Sequence, residues 1–94
     1  MPLRDLVEKA IETAGSQVKL AEMLGIKQQN ISAWKTGVRY CTTATRIELC
    51  KISGYDLKTA LLEQVVEDLD ENDETQKGAK EMIQAMLDAF PNRS

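Results

Sequence analysis

The chain has 94 residues, a formal net charge of −3 and an apolar fraction of 43%. A chain of this length forms one domain, and its composition is that of an ordinary globular protein, which excludes the disordered and membrane-spanning classes. No apolar run approaches the roughly 20 residues that a membrane helix needs, and the N-terminus carries no apolar signal-peptide core. We therefore expect a cytoplasmic protein with no membrane partner.

The charges are distributed unevenly along the chain. Residues 16–46 carry five basic side chains and one acidic side chain, which gives this segment a net charge of +4. Residues 63–74 carry seven acidic side chains and no basic one. This asymmetry is more informative about binding partners than the total charge is.

The sequence lacks histidine and the motifs of common catalytic and metal sites. The sequence contains no histidine, which is the commonest metal ligand and general base. Cys41 and Cys50 lie nine residues apart, a spacing that matches no zinc or thiol–disulfide motif, so we interpret them as buried thiols. Residues 67–74 lack the calcium-loop pattern, and no Gly-rich phosphate loop or nucleophile motif occurs. We expect no enzymatic activity, no metal, no cofactor and no small-molecule ligand.

The first two predicted helices follow one another closely. Apolar side chains at three- and four-residue spacing predict an amphipathic helix over residues 3–14, which Gly15 ends. Ser16 is expected to cap a second helix that Gly25 terminates. Three side chains are predicted on the inner face of that helix: Val18, Ala21 and Leu24.

Two further short helices are predicted in the middle of the chain. The third covers about residues 28–35, with Ile31 and Trp34 facing inward and Gly37 beyond its end. After a polar stretch, the fourth lies near residues 43–53. Its predicted inner face consists of Ala44, Ile47, Leu49 and Cys50.

The last third of the chain predicts two more helices separated by acidic residues. Asp56 is expected to cap a fifth helix with a broad apolar face made of Leu57, Leu61, Leu62, Val65, Val66 and Leu69. Residues 67–74 are interpreted as an acidic linker. A final amphipathic helix over residues 75–91, capped by Asp73 or Thr75, carries the apolar side chains Ala79, Met82, Ile83, Met86, Leu87 and Phe90, and Pro91 ends it. No run alternates with period two, so the predicted fold class is all-α.

Residues 17–36 place five residue types at the spacing of a helix-turn-helix: Ala21, Gly25, Ile26, Ile31 and Trp34. Two steeply crossing helices need a small residue where they meet, and a tight turn needs a residue that tolerates positive φ. An apolar side chain then fills the gap between the helices. With two apolar anchors one turn apart facing inward, the polar side chains between them face outward together, as in a recognition helix.

This segment resembles the helix-turn-helix of the Cro/cI-type repressor family, and the resemblance extends over residues 3–66. The resemblance implies a five-helix lambda-repressor-like DNA-binding domain over residues 1–66, to which this chain adds its C-terminal helix. It also implies a phage-related, sequence-specific transcriptional regulator. Such a repressor binds double-stranded DNA as a homodimer at a palindromic operator.

The resemblance also implies which residues contact DNA. The base-contacting set is Gln28, Gln29, Ser32 and Ala33. The phosphate-contacting set is Gln17, Lys27, Lys35, Thr36, Arg39 and Tyr40. Arg46 is either a further phosphate contact or a surface salt-bridge partner. Glutamine amides suit adenine N6 and N7 in the major groove. Two departures from the family pattern are Lys27, where a capping Ser or Thr is usual, and the short side chain of Ala33.

Several alternatives stay open at this stage. The apolar faces of the fifth and last helices fit either the core or a dimer interface, and we favour the last helix as interface. The acidic run is a solvated linker or a cover for the basic face. The outer face of residues 28–35 is alternatively plain solvated surface. The protein is alternatively a DNA-binding antitoxin that binds a toxin through its C-terminal region, or a helical interaction adaptor without DNA binding.

Overall fold

The computed structural model describes residues 2–89, which form six α-helices and no strand within that range. The helices are α1 (Pro2–Ala14), α2 (Gln17–Leu24), α3 (Gln28–Thr36), α4 (Thr43–Ser53), α5 (Leu57–Asp68) and α6 (Glu74–Ala89). The all-α prediction is confirmed. Phe90 and Pro91, predicted at the end of the last helix, lie outside the described residues.

Side-chain caps fix where four of these helices begin. The Lys19 main-chain N–H donates to Ser16 Oγ at 3.1 Å, and the Thr59 N–H donates to Asp56 Oδ2 at 2.8 Å, as the sequence predicts. Thr42 caps α4 in the same way, and Asp73 rather than Thr75 caps α6. Each cap satisfies a main-chain donor that has no partner inside its helix, and contributes about 1 kcal/mol.

The core is built around α1, which packs against α2, α3, α4 and α5. Its buried side chains are Leu3, Leu6, Val7 and Ala10. They meet buried side chains from the other helices, among them Leu20, Ile31 and Leu49. Because α3 packs on α1 as well as on α2, the position of α3 is fixed by the core and not by the connecting turn alone.

The inner face of α2 differs from the predicted one. Val18 is 50% exposed, whereas Leu20 is completely buried beside Ala21. An α-helix turns roughly 100° per residue, so Val18 and Leu20 lie on nearly opposite sides of α2. The prediction for Val18 is therefore wrong, because the buried side of α2 is the side that carries Leu20 and Ala21.

The inner face of α4 also differs, because it contains an arginine. Ala44 is exposed, Ile47 is half-buried, and the side chain of Arg46 is buried beside Leu49 and Cys50. Arg46 donates two hydrogen bonds to the Glu67 carboxylate, and its Nε has no partner among the described residues. The sequence predicts Arg46 as a phosphate contact or a surface salt-bridge partner. Both predictions are wrong, because the side chain is buried and pairs with Glu67.

The buried face of α5 is more polar than predicted. Its buried residues are Thr59, Ala60 and Glu63, while Leu57 and Val65 are exposed. The Tyr55 hydroxyl donates to Glu63 Oε1 at 2.8 Å, which satisfies part of the polar requirement of this buried carboxylate. The predicted apolar face of α5 therefore remains largely open on its Leu57 and Val65 side.

Helix α6 docks on α5 instead of standing apart from the domain. Leu87 is buried, whereas Met82 and Met86 are exposed. Glu67 and Asp68 belong to α5, so the connection between the two helices is shorter than the predicted acidic linker. An ion pair between Lys80 and Glu71 and a hydrogen bond from the Asp70 N–H to Gln76 Oε1 bind this connection to α6.

Among residues 2–89, no helix combines the length and the apolar character that crossing a bilayer requires.

Candidate nucleic-acid interface

The corner between α2 and α3 has the geometry that the sequence predicts. Gly25 ends α2 with φ = 67°, in the left-handed region that favours glycine. The Gly25 N–H donates to the Glu22 carbonyl at 3.2 Å and the Ile26 N–H to the Ala21 carbonyl at 3.1 Å, so two of the carbonyls left unpaired at the end of α2 are satisfied. Ala21 is buried and Ile26 packs on the core. The turn thus holds α3 at a fixed orientation against α2.

One side of α3 is anchored in the core and the other is exposed. Ile31 and Trp34 are buried, as predicted. Gln28, Gln29 and Ser32 are exposed. Ala33, the fourth candidate for base contact, is half-buried. The helix therefore presents two glutamines and one serine on a surface that its own core residues do not use.

The side chain of Gln17 connects the start of α2 to α3. Gln17 Nε2 donates to the Gln28 carbonyl at 3.3 Å and to Ser32 Oγ at 2.7 Å. Both hydrogens of this amide are used inside the protein, so the side chain has no N–H left for a phosphate. A phosphate contact at Gln17 would have to come from main-chain N–H groups at the start of α2, where the first helical donors lack intrahelical partners.

The other candidate phosphate contacts lie around α3 and just after it. Lys27, Thr36 and Arg39 are exposed, and Lys35 is half-buried. The Thr36 hydroxyl donates to the Ala33 carbonyl at 3.2 Å, which leaves its oxygen lone pairs but not its proton for a ligand. Lys27 precedes α3 without making a side-chain cap, as expected from its replacement of a Ser or Thr.

Tyr40 has surroundings that differ from those of the other candidates. It is exposed, but it lines a cavity of about 410 Å³ with Glu63 and Glu67 of α5 and Lys80 of α6. The lining has two carboxylates and only one ammonium, and Arg46 already binds Glu67, so the cavity gives a phosphate no net attraction. Tyr40 is therefore the weakest member of the predicted phosphate-contacting set.

The two cysteines are free and buried, as the sequence predicts. Burial raises the pKa of both the Cys41 and the Cys50 thiol, although the nearby Arg46 guanidinium acts in the opposite direction. Raised thiol pKa values make both side chains poor nucleophiles at neutral pH. Within residues 2–89, no three His, Cys, Asp or Glu side chains converge as a metal site would require.

Two features of this region are not among the sequence predictions. The contact between Gln17 and Ser32 joins residues fifteen positions apart, and no periodicity signals it. The burial of Arg46 did have a signal, because Arg46, Leu49, Cys50 and Ser53 follow the three-four spacing of one helix face.

The family model described as bacterial toxin YdaS matches residues 7–54. The match begins inside α1, includes α2, the Gly25 turn and α3 completely, and ends just beyond α4, so it covers about half of the 94 residues. Comparisons with curated proteins and with solved structures gave no match. The matched segment is the helix-turn-helix with the helices that support it, and the chain belongs to the bacterial toxin YdaS family of small, helix-turn-helix-like helical proteins.

Proposed function

We propose that this protein is a sequence-specific DNA-binding transcriptional regulator of the Cro/cI repressor type, with a five-helix domain over residues 1–66. One observation carries the proposal. Gln28, Gln29 and Ser32 are exposed on the same short helix whose Ile31 and Trp34 are buried in the core. A helix anchored in this way can enter the major groove without giving up its own packing.

Affinity in this proposal comes mainly from phosphates and specificity from base edges. Lys27, Lys35 and Arg39 supply the positive charge beside α3, within a segment of net charge +4. The amides of Gln28 and Gln29 each offer a donor and an acceptor, which match adenine N6 and N7. Ala33 offers a methyl group that suits a thymine methyl.

The protein acts as a homodimer in this proposal, because one recognition helix reads too few bases to select a genomic site. Exposed apolar side chains suited to the dimer contact are Leu57 and Val65 on α5 and Met82 and Met86 on α6. Sedimentation at tens of micromolar without DNA should give the mass of two chains. A monomer under these conditions would remove the dimer from the proposal.

The decisive experiment is selection of bound fragments from a random pool of double-stranded DNA. We expect enrichment of one palindromic site with half-sites about one helical turn apart. The doubly substituted Gln28→Ala, Gln29→Ala protein serves as control and should enrich no site, although it still binds DNA weakly. Failure of the unsubstituted protein to enrich any sequence would contradict the proposal.

The description of the family favours a second candidate, a role in a toxin–antitoxin pair. In that case the chain arrests growth when it is expressed alone, or it binds a toxin through α6 and represses the pair. Growth after induced expression distinguishes these two roles, because only a chain that is itself the toxin slows growth. If DNA binding causes the arrest, the Gln28→Ala, Gln29→Ala protein should be harmless at equal expression. Neither candidate requires an enzymatic step by this chain.

A further inference from the structure

The hydrogen bonds of Gln17 fix the orientation of its side-chain amide. Its terminal nitrogen lies 3.3 Å from the Gln28 carbonyl oxygen and 2.7 Å from Ser32 Oγ. A carbonyl oxygen can only accept, so the amide group that faces Gln28 must be NH2 and not the oxygen. Because the same nitrogen also reaches Ser32, its second hydrogen points at the serine hydroxyl.

This contact determines what Ser32 offers to a ligand. A serine hydroxyl has one proton to donate and two lone pairs that accept. Gln17 occupies a lone pair, and within residues 2–89 the proton of Ser32 goes to no protein acceptor. Ser32 is exposed on α3, one turn after Gln28 and one turn before Lys35. The hydroxyl therefore keeps its proton and one of its two lone pairs for a ligand.

We propose that Gln17 is a positioning residue that makes Ser32 a hydrogen-bond donor toward DNA. This inference rests on the proposed DNA-binding function. A donor on α3 is satisfied by guanine O6 or N7, thymine O4 or adenine N7 in the major groove. Cytosine presents only its N4 amino group there, which is itself a donor. The free proton of Ser32 therefore favours guanine, thymine or adenine over cytosine at one operator position, whereas cytosine N4 can use only the one remaining lone pair.

The alternative role for Gln17, a side-chain phosphate contact, is disfavoured by the same geometry. Both amide hydrogens are already used, and the remaining Oε1 is an acceptor that a phosphate oxygen repels. A phosphate contact would act equally on all sequences, whereas a positioning role changes base preference. The two roles therefore predict different measurements.

Gln17→Glu is the sharpest test, since glutamate has nearly the same shape but no side-chain N–H. Ser32 should then donate to the new carboxylate and present lone pairs outward. In selection from a random DNA pool, cytosine should become about threefold to tenfold more frequent at one operator position, the effect of one net hydrogen bond. Val18→Glu is the matched control, because it adds the same charge at the exposed neighbouring residue. It should weaken binding to all sequences and leave the preference unchanged.

Further variants secure the interpretation. Ser32→Ala should lose the discrimination at the same position, Ser32→Thr should retain it, and adding Gln17→Glu to Ser32→Ala should change nothing more. Gln17→Met, which is uncharged, should lose the discrimination if the glutamate variant does not fold. An unchanged preference in folded Gln17→Glu or Gln17→Met protein would overturn the inference while leaving DNA binding intact.

A measurement without DNA separates this inference from the proposed function. In the free protein, Ser32→Ala should shift the NMR resonances of the Gln17 side-chain amide protons, whereas Ser32→Thr should leave them close to their original positions. Unshifted resonances in Ser32→Ala would overturn the positioning role by themselves. Absence of all DNA binding would instead overturn the proposed function, and with it the role of Ser32 in base selection.

Discussion

The guanidinium of Arg46 lies against the carboxylate of Glu67 as a two-pronged ion pair. The Nη2–Oε2 distance is 2.8 Å and the Nη1–Oε1 distance is 3.3 Å, and the two side chains are only 1% and 11% exposed. The pair joins the first turn of α4 to the last turn of α5. Because α4 packs against α1, the end of α5 is connected through it to the helix that supports α3.

Glu67→Gln should strongly destabilise the fold, because it leaves the buried charge of Arg46 uncompensated. The expected loss in the free energy of unfolding is about 3–5 kcal/mol, measured by urea denaturation. Glu48→Gln is the control, since it removes the partner of Lys51 from an exposed pair and should cost less than about 1 kcal/mol. Equal losses in both variants would show that the Arg46 pair is solvated.

Asp56 should make stability depend on acid pH. Its hydrogen bonds from the Thr59 side chain and main chain hold the pKa of the carboxyl below its ordinary value of 3.8. A lowered pKa in the folded state gives stabilisation that is fully present above the unfolded pKa and is lost as the pH falls through the folded one.

The comparison with Asp56→Asn isolates this contribution, because asparagine can still cap α5 but does not titrate there. The difference in the free energy of unfolding between the two proteins should be constant above about pH 5 and should shrink below about pH 4. A difference that does not change with pH would contradict the assigned role of the charge.

Gly25→Ala should destabilise the corner through the backbone alone. The residue has φ = 67°, and a Cβ at this position would meet no atom within 4 Å, so the expected cost of about 1–2 kcal/mol is conformational. Gly78→Ala is the opposite control, because Gly78 lies inside α6 with equally open space and helical geometry. It should stabilise by about 0.5–1 kcal/mol. Thermal denaturation measures both, and a loss in both would point to side-chain crowding.

Gln28→Ala and Gln29→Ala should each cost about 1–3 kcal/mol in binding to the selected operator and almost nothing on random DNA. Fluorescence anisotropy at one fixed salt concentration measures both. Glu22→Ala, on the exposed surface of α2, is a control that removes no proposed base contact. Equal losses on operator and random DNA would reassign the glutamines to backbone contacts.

Arg39→Ala should weaken binding to every sequence and reduce the slope of log K against log salt by about one unit, the effect of one lost phosphate contact. Lys77→Ala removes the same charge from α6 and should leave the slope unchanged, because α6 packs on α5 and away from the proposed interface. An unchanged slope in Arg39→Ala would remove this residue from the phosphate contacts.

The corner was predictable from the sequence because each of its positions has a local steric cause. A sequence displays these requirements directly. They are a small residue at position 21, a residue with positive φ at position 25 and a buried anchor at position 34, met here by Ala21, Gly25 and Trp34. The caps at Ser16 and Asp56 were predictable for the same reason, since the oxygen and its N–H partner are three residues apart.

The buried face of α5 was not predictable in this way. The apolar period along α5 fits either the core or a dimer interface, and the structure buries Thr59, Ala60 and Glu63 and exposes Leu57 and Val65. Small Ala60 permits close approach, and Tyr55 satisfies part of the hydrogen-bonding capacity of Glu63. The spacing of apolar residues indicates which side chains avoid water. It does not indicate whether the surface that covers them belongs to the same chain or to a partner.

Helix α6 packs on α5, while α3 is held by α1 and α2, so the exposed surfaces of α6 and α3 belong to helices with different neighbours. We expect substitutions at the exposed Met82 and Met86 to leave the packing of the buried Trp34 in place. We therefore expect that mutation can alter what the exposed face of α6 associates with while the exposed face of α3 stays constant. A reporter dye placed on α6 should detect association there without contacting α3.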